Sequence, residues 1–314
     1  MRPSVVDAGK ARASAGSLAI HPGALGDLLL AIPALRALRA ARPPVTLAAQ
    51  PHIGALLRML GIVDEAVAFE SLGLDALFVD DRSLASRLPA VERVVCWFGA
   101  RDPVFTRRLR AVVPAAVLAP SMITGRPVWE HLLATVDAPP GDWRPPVSAP
   151  DEVRALGTAA LAAAGATDTP RPWLFVHPGA GSVAKQWPAE AFARAITTVA
   201  ARARLNVLVH QGPADAAAVA ALRRHLGDGA LALVNPSLPA LAGALAHADL
   251  FLGNDSGVSH LAAALGVPAI VLFDVRLLDW RPWWPGARVR TVTLTEAVPE
   301  DVAAVVEELQ RALA

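Results

Sequence analysis

One cysteine, Cys96, is too few for an intrachain disulfide, and its place in the apolar stretch 94–98 marks it as core. A reducing compartment suits such a chain. No run of eighteen apolar residues occurs, and residues 1–12 lack the apolar stretch of a signal peptide. The expectation is a cytoplasmic protein, soluble or held peripherally at the inner face of the cytoplasmic membrane. A Walker A loop, a Gly-x-Ser-x-Gly elbow, a His-Glu-x-x-His pair and any cysteine cluster are also missing, and Asp80 and Asp81 are adjacent rather than spaced. ATP-driven phosphoryl transfer, serine hydrolysis and metal-centred chemistry therefore recede; neither a metal nor a cofactor is expected.

Charge is scarce and balanced. Charged residues make up 18% of the chain against 54% hydrophobic, so two buried sheets are within reach and disorder is not. Residues 1–150 carry a net charge of +3 and residues 151–314 a net charge of −2. This argues against a nucleic-acid partner, while the mildly basic first half suits an acidic acceptor or a membrane surface. Lysine is scarcest of the charged types: Lys10 and Lys185 stand against 27 arginines.

What the chain does have is a repeated junction. His-Pro-Gly-Ala occurs at His21 to Ala24 and again at His177 to Ala180, each time directly after a short apolar run, at 17–20 and at 173–176. A glycine-bearing turn between the carboxyl end of a strand and the start of a helix is where α/β folds bind anions. Around these junctions, strand-like runs at 17–20, 45–49, 93–98 and 115–119 alternate with helical patterns near 28–42, 52–60, 103–112 and 129–136. In the second half, strands at 173–177, 206–210, 230–234, 249–252 and 269–273 alternate with helices near 189–203, 214–226, 238–247 and 258–265. Such alternation predicts an α/β fold of two Rossmann-like, doubly wound domains facing a central cleft. Five prolines within residues 138–150 place the boundary there, giving domains 1–150 and 151–314. The helix near 298–313 is expected as a closing element that packs back toward the first domain.

Three segments carry candidate chemistry. Gly26-Asp27 follows the first junction; a carboxylate in a first helical turn is either a cap or, at the end of a strand, a base for a substrate hydroxyl. Pro33, one turn on, predicts an interruption of that helix. After the second junction, Gly179, Ala180, Gly181, Ser182 and Lys185 form a loop whose backbone N–H groups and ammonium suit a phosphate. In so arginine-rich a chain a lysine there points to a compact charge, the alternative being a solvated surface residue. On either view Lys185→Ala is expected to leave stability unchanged. In the third segment a buried strand ends at Asn254, and Asp255, Ser256 and Gly257 open a helix suited to a pyrophosphate and a sugar hydroxyl. His260 is either core or a phosphate contact. Weaker candidates are Arg107 and Arg108, a solvated face or a grip on an acidic acceptor. Trp280, Trp283 and Trp284 either pack or stack on a ring.

Taken in order, Gly26-Asp27 with Pro33, His177-Pro-Gly-Ala with Lys185-x-Trp187-Pro188, and Asn254-Asp255-Ser256-Gly257-x-x-His260 resemble glycosyltransferase family 9, the ADP-heptose:lipopolysaccharide heptosyltransferases. The resemblance spans nearly the whole chain. It implies a GT-B fold with the acceptor, a glycolipid or saccharide, on the first domain near Gly26, and a nucleotide sugar, ADP-heptose by analogy, on the second. It further implies metal-independent inverting transfer, with Asp27 as base and Lys185 on donor phosphate. Gln211, opening the loop 211–215, stands where family members often hold the nucleoside. Asp274-Val275-Arg276 departs from the Gly-Pro-Thr that often follows the preceding strand. Another nucleotide sugar, or a binding protein without turnover, are the alternatives.

Overall fold

The computed structural model describes residues 16–78, 88, 91–166 and 172–313; Lys10, Asp80 and Asp81 lie outside the described residues. In the first half the apolar runs at β1 (Ser17–Ile20), β2 (Val45–Ala49) and β4 (Arg93–Cys96) are buried and pair in parallel, Ile20 facing both Ala48 and Cys96. Strands β3 (Glu65–Ala68) and β5 (Val117–Leu118) complete a sheet of order β3-β2-β1-β4-β5. The second half repeats the plan with β6 (Trp173–His177), β7 (Asn206–Gln211), β8 (Ala230–Val234), β9 (Leu250–Asn254), β10 (Ala269–Phe273) and β11 (Ala287–Thr291). Their order is β11-β10-β9-β6-β7-β8, again parallel.

In each sheet the strand order reverses beside the strand that carries His-Pro-Gly-Ala: between β1 and β4, and between β6 and β9. The crevice outside the carboxyl ends at such a switch point is where open α/β sheets take ligands. The repeated tetrapeptide thus marks the ligand edge of both sheets.

The expected first helix is two, α1 (Leu25–Leu30) and α2 (Ile32–Ala41), with Pro33 in the first turn of the second. Proline has no N–H to offer the Leu29 carbonyl one turn back. The indole N–H of buried Trp283, from the other half, donates to that oxygen at 2.8 Å. A helix break in one domain is satisfied by a side chain of the other. Helices α3 (Pro51–Met59), α4 (Pro103–Val112) and α5 (Val128–Ala134) complete the first half.

In the second half, α6 (Asp151–Ala163) lies against α9 (Leu238–Leu245), and the backbones meet where Gly157 faces Gly243: a Cβ on Gly157 would stand 2.0 Å from the Gly243 carbonyl carbon. Helices α7 (Ala189–Ala200) and α8 (Ala216–Leu226) cover the β6–β8 side. Helix α10 (Gly257–Ala264) starts at the end of β9 and packs against α1. Between them Gly26 and Gly257 allow the approach: a Cβ on Gly26 would meet His260 Cδ2 at 3.1 Å, and one on Gly257 would meet Leu25 Cβ at 3.0 Å. The two switch points therefore face each other through the first turns of α1 and α10. The segment between the halves is fastened to both, Arg36 donating to the Pro145 and Pro146 carbonyls and Val147 N–H to Ala264 O at 2.7 Å.

The last helix, α11 (Pro299–Leu313), corrects one expectation. It packs on α7 and β10 rather than back on the first half, because Val302, Val305 and Leu309 join the apolar cluster around Phe192 and Leu272.

Candidate functional site

At the ligand edge of the second sheet the chain fixes its own loop first. Asn254, fully buried, donates from Nδ2 to Pro178 O at 2.8 Å and accepts from Trp187 N–H at 3.0 Å, which pins the 178–187 loop to the end of β9. Ser256 caps α10, its Oγ accepting from Ser259 N–H at 3.3 Å, and Ser259 Oγ donates to Asn254 O at 2.5 Å. Between these segments Lys185 Nζ meets Asp255 Oδ2 at 2.8 Å, and His260 Nε2 lies 3.6 Å from Asp255 Oδ1. Burial alone would raise the Asp255 carboxyl, but the His260 and Lys185 contacts outweigh it and hold it below the usual carboxylate range. Lys185 is thus no free surface cation. Its partner is only 7% exposed, so the pairing argues for a stability cost where the sequence suggested none.

These residues line a cleft of about 220 Å³ together with Gly26, Asp27, Gly181 and Ser256. The Nδ1 of His260, buried, has no hydrogen-bond partner. Of the glycine loop, Gly181 faces the cleft. Gly179, Ala180 and Ser182 do not line it; Gly179 lies over Asp215 and Ser182 at the head of the 3₁₀ turn Val183–Lys185. Gln211 does not reach it; its backbone carbonyl accepts from Asn235 N–H at 2.7 Å at the end of β7.

On the first sheet Asp27 makes the capping contact that the sequence allowed and also faces open space. Its Oδ2 accepts from Ala24 N–H at 2.7 Å, a capping contact at the third position of α1 rather than at the N-cap itself. It also lines a cavity of about 560 Å³ with His21, Trp97, Phe98, Arg101 and Trp280. Asp27 and Trp280 border both this cavity and the 220 Å³ cleft. Beneath Asp27, His21 Nδ1 accepts from Gly23 N–H at 3.1 Å; burial pushes its pKa down to about 4, the Asp27 charge opposing only in part, so the ring is neutral at pH 7.

Arg107 and Arg108 do not line that cavity; the arginine that does is Arg101. Both lie along α4, whose N-cap Asp102 is at the cavity, and Arg108 is turned to the Leu77 carbonyl at 3.1 Å. Of the tryptophans, Trp283 packs while Trp280 faces the cavities. The departure Asp274-Val275-Arg276 closes on itself. Asp274 accepts from Arg276 N–H at 2.8 Å and pairs with its guanidinium at 2.5 Å, contacts that hold the carboxyl near a pKa of about 2. It borders a separate cleft of about 740 Å³ that neither Asp27 nor Lys185 lines.

One cluster escaped the sequence reading. His177, at the end of β6, and His210, near the end of β7, face each other with Nδ1 atoms 3.1 Å apart, and Asp215 lies beside them. All three are buried.

Two all-parallel sheets with opposed switch points have the layout of the GT-B class. The profile of glycosyltransferase family 9 (heptosyltransferase) matches residues 131–302, more than half of the chain, and the chain belongs to that family. Among curated proteins, lipopolysaccharide heptosyltransferase 3 of Escherichia coli is 30% identical over 116 residues, 35% of this chain. The chain spans 34% of the length of the curated relatives it matches. Among solved structures, a family 9 glycosyl transferase from Veillonella parvula superposes with a TM-score of 0.76 at 18% identity, covering 96% of this chain and 97% of that one. The E. coli ADP-heptose lps heptosyltransferase II gives 0.70 at 20% identity, covering 95% and 98%. At these identities the superpositions establish the fold.

Proposed function

We propose that this protein is an inverting, metal-independent glycosyltransferase that moves a heptose from ADP-heptose to a hydroxyl of a lipopolysaccharide-core or related saccharide acceptor. The observation that carries the reading is the position of Asp27, the one carboxylate on the border of both the 560 Å³ cavity and the cleft holding Lys185 among the described residues. The acceptor sugar occupies the first cavity, its ring against Trp97, Phe98 and Trp280. The donor diphosphate lies in the cleft, against the first turn of α10 and Lys185.

Asp27 accepts the proton of the acceptor hydroxyl as its oxygen attacks the anomeric carbon, and the bond to the diphosphate oxygen breaks on the opposite face. A single displacement inverts the anomeric centre. Oδ2 is held by Ala24 N–H, so Oδ1 is the oxygen left to take the proton. Negative charge developing on the leaving diphosphate is met by the Lys185 ammonium, which has donors beyond the one given to Asp255, and by the α10 dipole. The Gly26 and Gly257 contact keeps the base and the donor edge in register.

Membrane contact and a cytoplasmic site belong to the same proposal, since the acceptor would be built on a lipid. No described helix is long and apolar enough to cross a membrane. Incubation with ADP-heptose and a heptose-deficient core oligosaccharide, without added magnesium, tests the reading. ADP release with a product one heptose heavier supports it. Tight ADP binding with no release for any acceptor or nucleotide sugar identifies a binding protein instead.

A further inference from the structure

The His177, His210 and Asp215 cluster takes no part in that chemistry, and its construction is that of a ligand set. Two of the three residues sit at the carboxyl ends of adjacent parallel strands, β6 and β7, and the third directly precedes α8, so rigid elements place all of them. Their donor atoms lie within 4.8 Å of one another. The imidazole pair is already spaced for a shared ion: Nδ1 to Nδ1 is 3.1 Å, against about 3.3 Å for two nitrogens on a tetrahedral centre with bonds near 2.05 Å.

Asp215 supplies the third donor. Its Oδ2 accepts from Gly212 N–H at 2.9 Å, and its Oδ1 lies under Gly179. A Cβ on Gly179 would stand 2.0 Å from that oxygen and 2.9 Å from His177 Cε1, so the loop backbone forms a roof that no side chain interrupts. Two imidazoles and a carboxyl group buried side by side form a donor set that favours a cation.

We propose that His177 Nδ1, His210 Nδ1 and Asp215 Oδ1 bind one divalent transition ion of the zinc type, which pins the 178–181 turn from below. Two imidazoles and one carboxylate are the donor mix borderline divalent ions take, with a solvent molecule or backbone oxygen completing the tetrahedron. Both rings are then Nε2–H tautomers. The ion is structural: Asp27 and Lys185 are not its ligands, and the transfer step proceeds without it. The inference does not rest on the proposed activity.

The test uses the full chain, purified without a histidine tag, incubated with zinc, desalted and measured for metal by mass spectrometry. About one zinc per chain is expected, with a thermal midpoint that rises on zinc addition. His210→Phe keeps the stacked contact with Phe175, whose ring lies 6.1 Å away at 26°, and should carry about a tenth of that zinc or less. Asp215→Asn retains an oxygen for Gly212 N–H but not the charge, and should bind zinc at least about tenfold more weakly. If the wild-type chain retains no more zinc than His210→Phe, the cluster is a hydrogen-bonded pair and the proposal falls. Should His210→Phe fail to fold, equal zinc in wild type and Asp215→Asn overturns it as well.

Discussion

Replacing Lys185 by alanine separates two consequences of one contact. The ammonium lies 2.8 Å from Asp255, whose side chain is 7% exposed while the lysine is 34% exposed. Loss of a charge-assisted hydrogen bond costs about 1.5–3 kcal/mol, and the lower end applies here because water reaches the lysine side and replaces part of the contact. About 1.5 kcal/mol corresponds to a fall in thermal midpoint of roughly 2 °C for a chain of this size. The Asp255 carboxyl is depressed in the fold, so its contribution is present above the unfolded carboxylate value and is lost only as pH falls through the lower folded value. The stability gap between wild type and variant should therefore be constant from pH 8 to pH 5 in urea titrations.

Turnover should fall about 10²- to 10³-fold, the cost of removing one preorganised charge from a leaving group. Lys185→Arg distinguishes the two effects: it restores a partner for Asp255, and with it most of the stability, but not the compact charge, so turnover stays low. A Lys185→Ala protein with wild-type stability and less than a tenfold loss of turnover would refute both the pairing and the role.

Other outcomes follow from close contacts elsewhere. Gly157→Ala drives a Cβ into the Gly243 backbone and should cost about 3 kcal/mol or more, read as lost soluble expression or a lower urea midpoint; an unchanged midpoint would mean that α6 and α9 are not in contact. Trp283→Phe leaves the Leu29 carbonyl buried without a donor and should cost about 1–3 kcal/mol, measurable by the same titration. His21, with a folded pKa near 4 against 6.5 unfolded, contributes stability that is whole above pH 6.5 and falls as pH drops toward 4, by on the order of 3 kcal/mol. His21→Gln should flatten that part of the curve; an identical acid profile would show that His21 does not titrate this way.

Much of the fold could be read because its central strands are buried on both faces and appear as apolar runs, such as Leu250 to Leu252 and Ala269–Phe273. The strands that escaped, β3 and β11, are edges with half-exposed sequences, Glu-Ala-Val-Ala and Ala-Arg-Val-Arg-Thr, in which no such run develops. Pro33 announced the break between α1 and α2, but not that Trp283 answers it from 254 residues away. The site divides along the same line. Asp27, Lys185 and Asp255 were visible as residue types at strand ends; the ion pair joining Lys185 to Asp255 across 70 residues was not. Nor was the His177, His210 and Asp215 cluster: the repeated tetrapeptide marks His177, but nothing local joins it to His210 and Asp215, which it meets only because β6 and β7 are neighbours. The choice of Arg101 over Arg107 and Arg108 depends on the direction in which α4 leaves the cavity, which composition does not encode.

The central claim is that Asp27 removes the acceptor proton, and Asp27→Asn addresses it most directly. Asparagine retains an oxygen for Ala24 N–H, so only the charge at the start of α1 is lost, a stability cost of about 0.3–1 kcal/mol. ADP affinity by calorimetry should be unchanged, since Lys185 and the first turn of α10 are untouched. Transfer to a competent acceptor should fall by about 10²-fold or more. Wild-type transfer by a folded Asp27→Asn protein would show that the carboxylate is a cap alone and that the base is another group.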